Sequence, residues 1–176
     1  MKTRTIPWWR WIALGAAVVA ALVITVTAVS AAAPAPVQRD FEVFTGPGFL
    51  HKIDEAPAGA SVIDLSPGDT LLHHDPVLDP NTGQQIGTAV TRVQAVQSLD
   101  GDTVVLLDCT VRLADGNVVF SGGDELARLA TTGTVYAITG GTGGYVGADG
   151  TVTVRPDTLQ GKDGFRLAFD FPEPRH

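Results

Sequence analysis

Six stretches of turn chemistry punctuate this chain at short intervals, and they limit what it can fold into. They are Ser66-Pro67-Gly68-Asp69, Asp79-Pro80-Asn81-Thr82-Gly83, Asp100-Gly101-Asp102, Asp115-Gly116-Asn117, Gly147-Ala148-Asp149-Gly150 and Gly161-Lys162-Asp163-Gly164. In each, glycine supplies a positive φ, and Asp or Asn hydrogen-bonds its own backbone. The intervening runs are rich in Val, Thr, Leu and Ile, the residues that suit a pleated surface. Strand signals begin earlier, at Phe41 to Phe44, break at Gly46-Pro47-Gly48 and resume at "FLHKID" and "ASVIDL". Helical periodicity is confined to "GDELARLA", barely two turns. Short strands joined by tight turns imply one all-β domain, an antiparallel sheet closed into a barrel or folded into a sandwich. Periodicity does not choose between the two.

Alternation along the strands separates two faces. In "TVVLLDCTVRL", Val105, Leu107, Cys109, Val111 and Leu113 share one side, while Asp108, Thr110 and Arg112 join Val104 and Leu106 on the other. In "GFRLAFDF", Phe165, Leu167, Phe169 and Phe171 oppose Arg166, Ala168 and Asp170. One face is apolar and the other mixed, as a filled or ligand-holding interior requires.

The stretch from Ile138 to Val154, "ITGGTGGYVGADGTVTV", carries six glycines in seventeen residues. A phosphate cradle would run its glycines into a helix N-terminus, in the commonest form with a Lys before Ser or Thr. Here the glycines run into Thr151-Val152-Thr153-Val154, a β-branched alternation that reads as a strand. The segment is expected to connect two strands.

Residues 1–32 differ from the rest. Lys2, Arg4 and Arg10 precede the apolar run "IALGAAVVAALVITVTAV" and the small-residue cluster Ser30-Ala31-Ala32-Ala33. This is the layout of a signal peptide, and its length also suits an N-terminal membrane anchor helix. Either reading puts the domain outside the cytoplasmic membrane, secreted or attached to the cell envelope, and touching the membrane only through this segment. Residues 33–40 form an Ala/Pro linker, and residues 41–176 form the domain. Beyond the leader, nine basic residues face nineteen acidic ones, a formal charge of −10. That sign disfavours nucleic acid as a partner. Cys109 stands alone, which excludes an intrachain disulfide and a cysteine-rich metal site, and its apolar neighbours mark it as a core residue.

Three blocks together resemble a known family. "AITGGTGGYVGADGTVTV" is similar to the glycine signature of the dirigent and allene oxide cyclase β-barrels. "GDTLLHHDPVLDPNTGQQIGT" resembles their GD-strand-turn segment, and "VVLLDCTVRLADGNVVFSGG" falls where the family has a hairpin. The likeness runs from about Pro67 to Pro156 with the order of the blocks kept. It implies an eight-stranded antiparallel β-barrel around a hydrophobic cavity, a homo-oligomer (a trimer in plant members), and no cofactor. The glycines Gly140, Gly141, Gly143 and Gly147 would then bend between neighbouring barrel strands, with Tyr145 at the family's aromatic position. Plant members cyclise an unstable fatty-acid epoxide or steer the coupling of phenoxy radicals. The cyclases carry a Cys shortly after an Ile-Gly step, where this chain reads Thr91-Arg92-Val93, and a first-strand Glu, for which Glu42 is the counterpart. Dirigent proteins carry an Arg where this chain has Asp124 and Glu125.

Several residues are candidates for chemistry. On a strand, His73 and His74 point to opposite faces, whereas His73 and Asp75 share one and would give an imidazole with a carboxylate orienter. No third metal ligand accompanies them, so no metal site is expected. Asp108 and Arg112 are polar candidates if their face lines the cavity and ordinary surface charges if it meets solvent. Tyr136 and Tyr145 could donate to a ligand oxygen, or pack with the hydroxyl at a rim. Glu42 and Glu125 complete the set. The candidates for catalysis are thus Glu42, Asp108, Arg112, Glu125 and Tyr136, and those for ligand binding are His73, Asp75 and Tyr145.

The function expected from the resemblance is that of a cofactor-free cyclase, an isomerase, or a stereochemical guide. It would act on a small apolar, oxygen-bearing metabolite and hold its geometry away from water. The alternative is a barrel that binds or carries such a molecule unchanged, and a side-chain-filled structural barrel is a third reading.

Overall fold

A computed structural model describes residues 40–53 and 65–172; the expected leader, and the linker up to Arg39, lie outside the described residues. Nine strand segments form one antiparallel sheet: β1 (Phe41–Thr45), β2 (Phe49–Ile53), β3 (Thr70–Leu78), β4 (Gln85–Gln97), β5 (Thr103–Leu113), β6 (Gly116–Glu125), β7 (Thr134–Gly143), β8 (Gly150–Leu159) and β9 (Lys162–Asp170). Each of β2 to β8 pairs with the next in sequence, and β1 pairs with both β9 and β3. That last pairing closes the sheet into an eight-stranded barrel and excludes the sandwich. β1 and β2 share one position in the wall. Thr45 stands opposite Val77 and Phe49 opposite His74, so three residues of one chain face two of the other. The Gly46-Pro47-Gly48 break is therefore a bulge between two halves of one strand.

The face assignments hold. Val105, Leu107, Cys109 and Val111 are buried inside the barrel, with Val118, Phe120, Tyr136, Ile138, Val152, Val154, Leu167 and Phe169 from neighbouring strands. Leu106, Asp108 and Arg112 point out and are exposed. Aromatic rings fill the interior at one end. There Phe41, Tyr145, Phe169 and Phe171 stack with ring centroids 4.7 to 6.3 Å apart and close the barrel floor.

The glycine-rich segment builds part of this floor. β7 continues along β6 as far as Gly143, opposite Gly116, while its pairing with β8 ends at Ile138. The chain then turns through Gly144–Asp149 into β8, as expected of a strand connection. A Cβ on Gly141 would fall 2.5 Å from the carbonyl oxygen of Tyr145, so only glycine permits this close return. It brings Tyr145 inward, with its hydroxyl donating to Asp115 Oδ2 at 3.1 Å.

The two-turn helical signal is also realised: a short helix, α1 (Leu126–Thr131), connects β6 to β7 at the opposite end of the barrel and buries Leu129.

Candidate functional site

A cavity of about 700 Å³ occupies the barrel from mid-height up to α1. Its walls are mostly aliphatic and aromatic: Leu71, Val93, Leu107, Phe120, Val154 and Leu167 point in from six strands, and Leu126 and Leu129 of α1 lie over them. This is the size and character of a small-molecule site.

Polarity is concentrated on the wall made by β3, β4 and β5. Strand alternation puts Leu71, His73 and Asp75 on one side of β3, and His73 and Asp75 both line the cavity. His73 Nδ1 lies 3.7 Å from Asp75 Oδ2, an ion-pair distance but too long for a hydrogen bond. Burial raises the Asp75 carboxyl above the usual carboxylate range. The opposing pulls, smaller than that of burial, come from His73, a hydrogen bond from the Gly48 backbone N–H, and His74. This carboxyl therefore holds a proton more readily than a surface aspartate.

The next two strands add Thr91 and Cys109, cross-strand partners that both face the cavity. The Thr91 hydroxyl donates to the Cys109 sulfur at 3.2 Å. Burial, with a smaller push from the Asp75 charge, drives the thiol up to about 12, so it stays protonated at neutral pH and is no nucleophile. Sequence reasoning placed Cys109 on the inward face but read it as core; the register against Thr91 makes it part of the cavity wall. No signal within one strand announces that pairing.

The remaining candidates are spread over the barrel. Glu125 lines the cavity mouth beside α1, together with Asp102. Glu42 is on the outer wall, where Arg166 donates to it from Nη1 at 3.2 Å and to Asp157 from Nε at 2.6 Å. Asp108 is likewise outside, paired with Arg92 at 2.5 Å, and Arg112 is exposed. Both therefore follow the surface-charge reading. Tyr136 points inward, 2 % exposed, yet does not line the cavity. Its hydroxyl has no hydrogen-bond partner among the described residues, and burial followed by the Asp124 charge raises it to about 12. Tyr145 belongs to the floor cluster, away from the cavity. Among the described residues no three His, Cys, Asp or Glu side chains are placed to hold a metal ion.

The site thus sets one wall carboxyl beside an imidazole in a mostly apolar chamber, with two further carboxylates at its mouth. It can hold a reactive molecule in one conformation and move a proton at Asp75.

Comparison with known proteins agrees with this architecture. Among solved structures, a pyocyanin demethylase superposes with a TM-score of 0.60 at 20 % identity, over 75 % of this chain and 100 % of that one. A pterocarpan synthase dirigent protein gives 0.56 at 17 % identity, over 76 % of this chain and 92 % of that one. A Diels–Alderase from Streptomyces koyangensis gives 0.56 at 17 % identity, over 76 % of this chain and 64 % of that one. At these identities the likeness is one of fold. No curated protein matches the sequence. The family model described as the allene oxide cyclase barrel like domain matches residues 52–167, most of the chain, and the protein belongs to that family.

Proposed function

We propose that the barrel binds a small apolar, oxygen-bearing molecule in the cavity above Phe120 and guides its cyclisation or stereoselective coupling, without a cofactor. The observation that carries this reading is a chamber of about 700 Å³ lined mostly by apolar side chains, with His73 and Asp75 paired on a single wall. Such a site restrains a reactive skeleton in one geometry and excludes water, which directs an intrinsically feasible reaction to one product. Asp75 would give or take the proton that ring closure or rearomatisation requires. His73 would orient the carboxyl and stabilise its charged form. Structural neighbours named as a dirigent protein and a Diels–Alderase are consistent with such a role for this fold. The leader-like N-terminus would put this activity outside the cytoplasmic membrane, and a homo-oligomer is the assembly expected of the family.

The test is product stereochemistry. Purified protein is added to an allylic epoxide, to a phenol undergoing one-electron oxidation, and to a tethered diene and dienophile, and the products are separated on a chiral column. Enrichment of one stereoisomer in any of the three, reduced in an Asp75→Asn variant, supports guidance. Racemic product from a substrate shown to be bound would leave only the carrier role.

A further inference from the structure

The charges around the cavity carry one sign. Three carboxylates reach it, Asp75 on the wall and Asp102 and Glu125 at the mouth, and among the described residues no Lys or Arg lines it. The described cations sit elsewhere. Lys52 is held 3.2 Å from the buried Asp69, Arg92 on Asp108, Arg128 near Asp124, and Arg166 on Asp157 and Glu42. Arg112, Arg155 and Lys162 are exposed. Residues 54–64, "DEAPAGASVID", contribute no basic side chain. A low-dielectric chamber with acidic groups on its wall and at its mouth attracts positive charge and repels negative charge more strongly than an open surface does.

Asp75 is placed to exploit this. Its described partners are the Gly48 N–H and a histidine too distant to hydrogen-bond, while a carboxylate offers about four acceptor positions. An N–H or N⁺ centre entering from the cavity would take an acceptor position that the described residues leave open, in a charge-assisted bond.

We propose that the ligand of this cavity is an apolar ring system bearing a cationic nitrogen, held on Asp75, and that the same skeleton bearing a carboxylate is rejected. This inference rests on the cavity being a small-molecule site, as above, and narrows what enters it. His73 is the competitor for Asp75. The other groups near that carboxyl are the un-ionised thiol of Cys109 on β5 and the uncharged Thr91 on β4, with His74 acting on it from the opposite face of its own strand.

Three tricyclic probes of nearly equal size separate the possibilities at about pH 8: aminoacridine is a cation, acridine is neutral, and acridine carboxylate is an anion. Binding to the full chain is read by fluorescence titration. The cation is expected to bind about 10-fold more tightly than acridine, and the anion about 10-fold more weakly. Asp75→Asn should bring the cation within about 3-fold of acridine while acridine itself binds as before. His73→Gln, which removes the competitor, should tighten the cation alone and provides a second readout if Asp75→Asn does not fold. A cation that binds no better than acridine, or a preference that survives Asp75→Asn, overturns the proposal while leaving the small-molecule site standing. Failure of all three probes to bind overturns both.

Discussion

Thr91 on β4 stands directly opposite Cys109 on β5, and its hydroxyl donates to the thiol sulfur at 3.2 Å inside the cavity wall. Cys109 is 3 % exposed and burial pushes its thiol up to about 12, so the thiolate needed for alkylation is scarce at neutral pH. Iodoacetamide is expected to leave Cys109 unmodified in the folded protein at pH near 7 and to label it fully after denaturation, as read by intact mass. Rapid labelling of the folded protein would mean that the wall opens.

The Asp75 carboxyl has a pKa raised by burial, which sets the sign of a stability effect. Between its ordinary pKa and the raised folded value, the native state binds more protons than the unfolded chain. Stability therefore falls as pH rises through that window and is restored below it. Asp75→Asn removes this penalty. The variant should melt a few degrees higher than the parent at neutral pH, and the two should converge below about pH 4. A melting temperature lowered at neutral pH would show that the carboxylate is a stabilising partner instead. Greater stability with loss of stereoselectivity is the trade expected of a functional acid.

Tyr136 presents a buried hydroxyl without a hydrogen-bond partner among the described residues. Removing an unsatisfied polar atom while keeping the ring should not destabilise the barrel. Tyr136→Phe is expected to be neutral or to stabilise by about 1 kcal/mol in chemical denaturation. A loss of more than about 1 kcal/mol would reveal a partner for the hydroxyl.

Barrel closure depends on the approach of β1 to β9. A Cβ on Gly164 would lie 2.1 Å from the carbonyl oxygen of Thr45 and 2.6 Å from the ring of Phe44, a fully buried residue. Gly164→Ala should cost about 1 to 3 kcal/mol, measured by denaturant unfolding, because backbone and ring must both move at the seam. Gly161→Ala tests the contrast. No atom lies within 4 Å of its Cβ position, so its cost comes only from its φ of 77°.

Local patterns made the walls readable from the sequence. Period-two alternation placed Val105, Leu107, Cys109 and Val111 inside and Asp108 and Arg112 opposite, and the same argument separated His73 and Asp75 from His74. Turn chemistry located the strand ends, and the β-branched run after Gly150 identified the glycine segment as a strand connection. Closure was not readable from alternation, because the pairing of Thr45 with Phe165 joins the first strand to the last; the family resemblance supplied it. The cavity was hidden for the same reason. Thr91, Cys109 and Asp75 come from three strands, and only the register brings them onto one wall.

The most direct test of the account is whether the barrel interior is a binding chamber. Leu107 points from β5 into its centre, and Leu107→Trp would fill part of that space. Acridine should bind the parent protein saturably and the Leu107→Trp variant at least about 10-fold more weakly, with an unchanged β-sheet signal in circular dichroism. Equal binding by two folded proteins would place the ligand outside the barrel and contradict the account.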